Sequence, residues 1–216
     1  MIWNIKIKGW DLSYFGTGEW QVVKERLDDQ DTDFCPGASN LFASLRAVPF
    51  DRVRVAIMGQ DPYPQRMYCT GLAFSTPAGI TPYPASLVNI FREYSADLGF
   101  PTPRCGDLGP WCEQGVLLWN VYPSCAIGSP GSHHWPEWEY LTKELVEKLD
   151  ERDVIFILLG TRARYFKQYI NQSDTIATSH PSPLGANKGF IGSRIFSRTN
   201  ALLSNKGKEG INWKLE

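Results

Sequence analysis

The sequence predicts an α/β fold: a central, mostly parallel four-stranded sheet flanked by helices on both sides. Three observations carry that expectation. Apolar or threonine-bearing runs of strand length recur at 52–58, 115–122, 153–159 and 175–178. Helix-patterned segments fall between them, as crossovers between parallel strands require. The runs at 115–122 and 153–159 are continuously apolar rather than alternating, which marks strands buried on both faces.

Taken in order, residues 1–50 read as a helical cap that belongs to one domain spanning 1–216. Within it, 19–27 is predicted helical and 28–33 is an acidic loop. Cys35-Pro36-Gly37 is a turn, and 39–45 is a second helix. No repeat, low-complexity tract or linker marks a second domain. The first strand, 52–58, runs straight into Gly59-Gln60-Asp61-Pro62-Tyr63-Pro64. Open α/β sheets bind ligands at the carboxyl ends of their strands, so this loop is a candidate site. A short apolar element follows at 71–75. Thr81-Pro82-Tyr83-Pro84 then stiffens the entry to a helix running to about residue 98. Ser86 lies in its first turn, where unbonded N–H groups attract phosphate.

A helical turn is expected at 110–114, before the strand at 115–122. Asn120 stands out near that strand's end, because a primary amide is rarely placed in a central strand without a task or a partner. An amphipathic helix at 136–151 leads to the strand at 153–159, closed by Gly160-Thr161. A helix at 162–170 and a short strand at 175–178 follow, and 190–205 reads as the last helix. Between those two lies Ser179-His180-Pro181-Ser182-Pro183-Leu184. Two prolines around a serine hold this backbone extended and out of any helix or sheet interior. The loop so presents a titratable ring, hydroxyls and an apolar tip at fixed spacing.

Bulk properties narrow the class. A chain of 216 residues with 43% hydrophobic and 21% charged residues suits one large soluble domain with a full core. No window approaches the roughly 18 apolar residues of a membrane span, and no signal-peptide pattern opens the chain. An intracellular location is therefore expected. Five cysteines without a Cys-x-x-Cys pair suggest reduced, mostly buried thiols. No His/Cys cluster has ligand spacing, so no metal and no cofactor is expected. The net charge of −1 hides an asymmetry: residues 1–160 sum to −7 and residues 161–216 to +6. The basic part contains the His180 loop, and a local basic face is what nucleic-acid binding needs.

Six motifs now stand in one order: Gly59-Gln60-Asp61-Pro62-Tyr63, Gly71-Leu72-Ala73-Phe74-Ser75, Gly106-Asp107-Leu108, Gly115-Val116-Leu117-Leu118-Trp119-Asn120, His180-Pro181-Ser182-Pro183-Leu184 and Phe196-Ser197-Arg198-Thr199-Asn200. In order and spacing the chain resembles the uracil-DNA glycosylases of family 1, over roughly residues 35–216. Ile211-Asn212-Trp213 also fits. The chain departs from the family pattern in four places. Pro64 stands where many members carry His, and 65–70 lacks the usual Gly/Asn/Gln-rich character. Val121-Tyr122-Pro123-Ser124-Cys125 replaces a threonine-containing apolar run after Asn120, and Asn187-Lys188 replaces an aromatic or basic pair after the loop.

The resemblance implies the uracil-DNA glycosylase fold and hydrolysis of the N-glycosidic bond of deoxyuridine in DNA. It assigns Asp61 to the attacking water and the cationic sugar, and His180, in neutral form, to the departing uracil anion. It implies that Gln60, Tyr63, Phe74 and Asn120 hold the base. Asn120 reads its N3–H and O4 edge, Tyr63 blocks a methyl group and Phe74 stacks. Leu184 is the implied wedge, Ser86, Thr161 and Ser182 the phosphate contacts, with Lys188 and Arg194 adding charge. Expected partners are uracil-containing single- and double-stranded DNA and inhibitor proteins of the family. Expected too are no membrane, a monomer, and a cytoplasmic location (nuclear in a eukaryote or virus). His133 and His134 are expected on a surface loop. Two readings compete: a weak or inactive relative that binds only DNA or an inhibitor, and an α/β enzyme on a small nucleotide. The second lacks a Gly-x-Gly-x-x-Gly or phosphate-cradle motif.

Overall fold

The structure, a computed structural model, describes residues 7, 9–10, 18–29 and 33–216. Along the chain come α1 (Gly18–Asp28), β1 (Phe34–Cys35), α2 (Ala43–Ala47), β2 (Val55–Gly59), α3 (Ala85–Leu98), α4 (Gly109–Glu113) and β3 (Val116–Asn120). There follow β4 (Cys125–Ala126), α5 (Pro136–Asp150), β5 (Ile155–Leu159), α6 (Thr161–Tyr165), β6 (Thr175–Thr178) and α7 (Ile195–Asn205).

The four predicted strands pair in the order β3-β2-β5-β6, every pair parallel. Register runs from Val55↔Val116 to Gly59↔Asn120 on one side of β2, and from Val55↔Ile155 to Met58↔Leu158 on the other. Every residue of β2, β3 and β5 is buried, which explains their continuously apolar sequences. Ile57, Leu118 and Leu159 face Ile90 of α3, Trp111 of α4, and Ile195 and Phe196 of α7. On the other face Trp119 Nε1 donates to Thr142 Oγ1 of α5 at 3.1 Å. Burying each such aliphatic side chain contributes roughly 1.5–3 kcal/mol, so the sheet is a rigid base for its loops.

Asn120 ends β3, an edge strand rather than the central one expected, and it is buried all the same. A second, two-stranded sheet pairs β1 with β4, matching Cys35 to Cys125, and was not foreseen. Strands of two residues carry too little pattern to be read.

Several helix ends moved. Residues 71–75 form no strand: Gly71 and Phe74 both have positive φ, and a single bond, Ala73 N–H to Leu118 O at 3.0 Å, ties the segment to β3. The second helix starts at Ala43, and α6 stops at Tyr165 before a 3-10 turn at Phe166–Tyr169. The last helix begins at Ile195, not at residue 190, and the cause lies on α3. Asn89, Glu93 and Asp97 are spaced four apart, on one face. Glu93 accepts N–H bonds from Gly192 and Arg194, both at 2.6 Å, and holds 190–194 in a turn. Asp97 accepts from Phe196 N–H at 3.0 Å and Ser197 N–H at 2.9 Å, which caps α7. Asn89 Nδ2 donates to Pro181 O at 2.8 Å and ties the His180 loop to the same helix.

Other readings fall into place. Asn200 donates to Ile211 O at 2.9 Å and accepts from Ile211 N–H at 2.8 Å, so the Asn200 and Ile211-Asn212-Trp213 motifs form one joint. The cap packs by aromatic contacts such as Trp20 against Trp138, ring centroids 6.1 Å apart. Part of the cap and of the 28–33 loop lies outside the described residues. The C-terminal positive charge is partly neutralised in place. Lys206 pairs with Asp153 at 2.6 Å and Asp174 at 3.0 Å, and Lys208 pairs with Asp153 at 3.4 Å.

Candidate active site

All four strands of the main sheet are parallel, so their carboxyl ends share one edge. Asp61 lies two residues beyond β2, Asn120 is the last residue of β3, Thr161 follows Gly160 beyond β5, and His180 lies two residues beyond β6. The chain leaves β2 toward β3 but leaves β5 toward β6, in opposite directions. The crevice at such a reversal is where this class of sheet places ligands.

A cleft of about 110 Å³ opens there. Asp61, Tyr63, Phe74, Asn120 and His180 line it, with Ser86 at the start of α3. Its size suits a single small ring, well below the roughly 300–1,000 Å³ of drug-sized pockets. At Gly59 a Cβ would lie 2.6 Å from Asn120 Oδ1 and 2.9 Å from the Phe74 ring. Only glycine lets β2 end so close beneath the site.

Asp61 is held from two sides. Its Oδ1 accepts from Gln60 Nε2 at 3.2 Å, and its Oδ2 accepts from Gly131 N–H at 2.6 Å. His180 stands with Phe74, ring centroids 5.7 Å apart. Ser182 N–H donates to His180 Nδ1 at 3.0 Å. An accepting Nδ1 carries no proton, so the ring is the neutral tautomer with its proton on Nε2. Burial lowers the His180 pKa, partly opposed by the Asp61 charge, which favours the same neutral form.

Tyr63 donates its hydroxyl to Phe74 O at 3.0 Å. Burial pushes that hydroxyl far above its usual pKa, so it stays a neutral donor with its ring fixed. Phe74 has φ of 65°, a left-handed backbone uncommon for an aromatic residue. The Asn120 carboxamide is 7% exposed and, among the described residues, makes no side-chain hydrogen bond. A buried amide without a protein partner is suited to a ligand's polar edge.

The remaining predicted residues lie outside the cleft lining. Gln60 supports Asp61 from the side. Thr161 is exposed at the first position of α6, and Ser182 is half-buried beneath its loop. Leu184 is 85% exposed, an apolar side chain standing clear of the loop tip. Lys188 is exposed at the end of a 3-10 turn, Ala186–Lys188. Arg194 sits at the α7 N-terminus with Nε 3.6 Å from Asp97, so its charge is partly used within the fold.

Two histidines expected on a surface loop are elsewhere. His133 is 1% exposed, stacks on Trp135 at 4.2 Å, and its Nδ1 lies 2.9 Å from Ser124 Oγ. His134 stacks on Tyr122 at 4.0 Å, and its Nε2 lies 3.8 Å from Asp61 Oδ2. Polar neighbours and aromatic stacking from distant segments draw both rings inward. No local pattern signals that. Further lining residues were also not foreseen: Cys69, Thr70, Leu72, Ser75 and Pro130. Among the described residues, no group of three or more His, Cys, Asp or Glu is arranged to hold a metal ion.

The profile of the uracil DNA glycosylase superfamily matches residues 46–204. The chain belongs to the uracil DNA glycosylase superfamily. It is 43% identical over 184 residues to a protein of Mycolicibacterium vanbaalenii named uracil-DNA glycosylase, covering 84% of this chain and 81% of that one. A protein of the same name from Mycolicibacterium smegmatis is 44% identical over 186 residues, covering 84% and 82%. The superfamily fold is also that of the mimivirus uracil-DNA glycosylase crystal structure. That structure has a TM-score of 0.79 at 24% identity, covering 98% of this chain and 95% of that one. A variant of the mimivirus protein solved in complex with UGI matches with a TM-score of 0.80, at 24% identity, covering 98% and 97%.

Proposed function

We propose that the protein hydrolyses the N-glycosidic bond of deoxyuridine in DNA, releasing uracil and leaving an abasic site for base excision repair. The convergence of Asp61, Phe74, Asn120 and His180 on one small cleft carries this reading. The C1′–N1 bond breaks with both electrons leaving on the base, so the sugar becomes cationic and the uracil anionic. Asp61 faces the cation and orients a water that attacks C1′, and it takes that water's proton. His180 donates its Nε2–H to O2 of the departing uracil, where negative charge develops. A neutral donor fixed by the Ser182 N–H is ready for this before the bond breaks.

Selection of uracil rests on Asn120, whose one donor group and one acceptor match O4 and N3–H. The Tyr63 ring occupies the space a thymine methyl would need. Stacking on Phe74 contributes roughly 1–3 kcal/mol. A base within a duplex must be flipped out to reach such a cleft, and Leu184 enters the vacated stack. Ser86, Thr161 and Ser182 meet phosphates, and Lys188 and Arg194 add positive charge. On this reading the enzyme is a monofunctional, monomeric and intracellular glycosylase acting on single- and double-stranded DNA, in the cytoplasm or, in a eukaryotic or viral setting, the nucleus. Protein inhibitors of the family bind the same edge.

The test is release of free uracil from uracil-containing single-stranded and duplex oligonucleotides. Loss of about 10²–10³-fold is expected for His180→Leu, and of about 10²–10⁴-fold for Asp61→Asn. No release by the wild-type protein at high enzyme concentration favours the weak or inactive relative instead. Undiminished release by both variants overturns the residue roles.

A further inference from the structure

His134 and Tyr122 stand close to the Asp61 carboxylate, and the proposed mechanism gives neither a part. Tyr122 belongs to the run after Asn120 where the chain departs from the family pattern. The two depend on one another. The rings stack with centroids 4.0 Å apart and 25° between planes. The Tyr122 hydroxyl donates to Glu139 Oε1 of α5, which fixes the ring, and Arg162 of α6 lies 3.9 Å from the same carboxylate oxygen. On its other side the His134 ring meets Gly131, where an added Cβ would lie 3.1 Å from Cε1. His134 N–H also donates to Gly131 O at 3.2 Å, closing a tight turn. Gly131 is the residue whose own N–H holds Asp61 Oδ2. One turn so presents two donors to one carboxylate oxygen.

The second donor is not yet engaged. His134 Nε2 is enclosed, has no hydrogen-bond partner among the described residues, and lies 3.8 Å from Asp61 Oδ2. An ordinary N–H···O bond spans about 2.9–3.0 Å, so a shift of under about 1 Å completes it. Such contacts are often long in the free enzyme and tighten in the complex. Resting on the functional reading above, we propose that His134 is a positioning residue for Asp61. Its Nε2–H closes on Oδ2 as substrate enters and leaves the Oδ1 side of the carboxylate for the attacking water. The stacked Tyr122 and the Gly131 turn aim it.

The charged and titratable groups around this pair are few. Glu139 and Arg162 flank Tyr122, while His180 lies across the cleft and Cys125 beneath. The orphan nitrogen makes a specific demand on the Asp61 carboxylate. A donor to the ionised form favours that form. Removing it should therefore lower kcat rather than raise KM.

The experiment is steady-state kinetics on a uracil-containing single-stranded oligonucleotide across pH, for wild type, His134→Ala, His134→Gln, Tyr122→Leu and Asp61→Asn, and for the Asp61→Asn/His134→Ala double variant. His134→Ala should lose about ten- to a hundred-fold in kcat with little change in KM. The amide of His134→Gln should recover part of that loss, and Tyr122→Leu should show a smaller loss, again in kcat. In the Asp61→Asn background, where no carboxylate remains to be aimed at water, His134→Ala should cost much less than in wild type. An unchanged kcat in His134→Ala overturns the proposal, as does a full additional loss in the double variant. If His134→Ala does not fold, His134→Gln and Tyr122→Leu carry the same criteria. If Asp61→Asn is as active as wild type, the functional reading fails first, and the two failures are told apart.

Discussion

The two walls of the cleft are built differently. The His180 wall is built mainly by its own stretch of chain, with one tie from Asn89 of α3 to Pro181 O. Ser182 N–H bonds the His180 ring, Ser179 Oγ donates to Gly185 O at 2.8 Å, and Gly185 and Ala186 N–H bond back to Ser182 O at 2.9 and 2.8 Å. The Asp61 wall is assembled from afar: Gly131, which holds the carboxylate, is 70 residues away in sequence. Behind it, Ser124 Oγ joins His133 at 2.9 Å and Trp138 at 3.0 Å. A ring held in one tautomer is fixed locally by proline and glycine geometry. A carboxylate is fixed by a folded environment that exists only once the whole domain has formed.

If the His180 wall is built mainly by local bonds, a small local change should damage it most. At Gly185 an added Cβ would lie 2.4 Å from the His180 carbonyl oxygen, backbone against backbone, with nothing able to give way. Gly185→Ala is therefore expected to cost roughly 3 kcal/mol in stability, and to displace His180 and reduce uracil release. Thermal melting and the release assay read both effects. A variant as stable and active as wild type would show that the loop tolerates slack.

The distant wall should respond instead to pH. Burial pulls His133 down from the model-peptide value to about 4. The unfolded chain binds this proton near pH 6.5, before the folded one does. The contribution is thus fully present above about pH 6.5 and is lost as pH falls toward 4, where the buried ring must charge. His180 and His134, also lowered by burial, act in the same direction. The melting temperature should fall by several degrees over this window, at roughly 2–4 °C per kcal/mol for a domain of this size. His133→Asn should flatten that slope, and parallel curves for the two proteins would remove His133 as its source.

The same contrast explains what was legible in the sequence. The strands could be read because burial on both faces leaves a continuous apolar run. The gathering of the residues immediately after them could be read because parallel strands end along one edge. Asp61, Asn120 and His180 all lie within two residues of a strand end. The stiff Pro181-Ser182-Pro183 segment announced its own geometry. What stayed hidden depended on partners far along the chain. His133 and His134 sit in a turn whose sequence gives no sign of Ser124, Trp135, Tyr122 or Asp61 beside it. The two-residue strands β1 and β4 exist only as each other's partner. The start of the last helix was misplaced for the same reason: Glu93, about a hundred residues earlier, decides it. Arg194 was read from charge alone, and its Asp97 partner on α3 was not visible in the local pattern.

If this cleft reads and releases the base, a change at Asn120 should change which base leaves. Its carboxamide, buried and unpartnered among the described residues, offers a donor to O4 of uracil. Asn120→Asp replaces that donor with an acceptor, which suits the exocyclic amine of cytosine instead. Release of free base from matched oligonucleotides carrying uracil or cytosine should therefore change with this substitution. The variant should gain measurable cytosine release while its uracil release falls. Unchanged selectivity, with uracil released as by wild type and cytosine untouched, would contradict it.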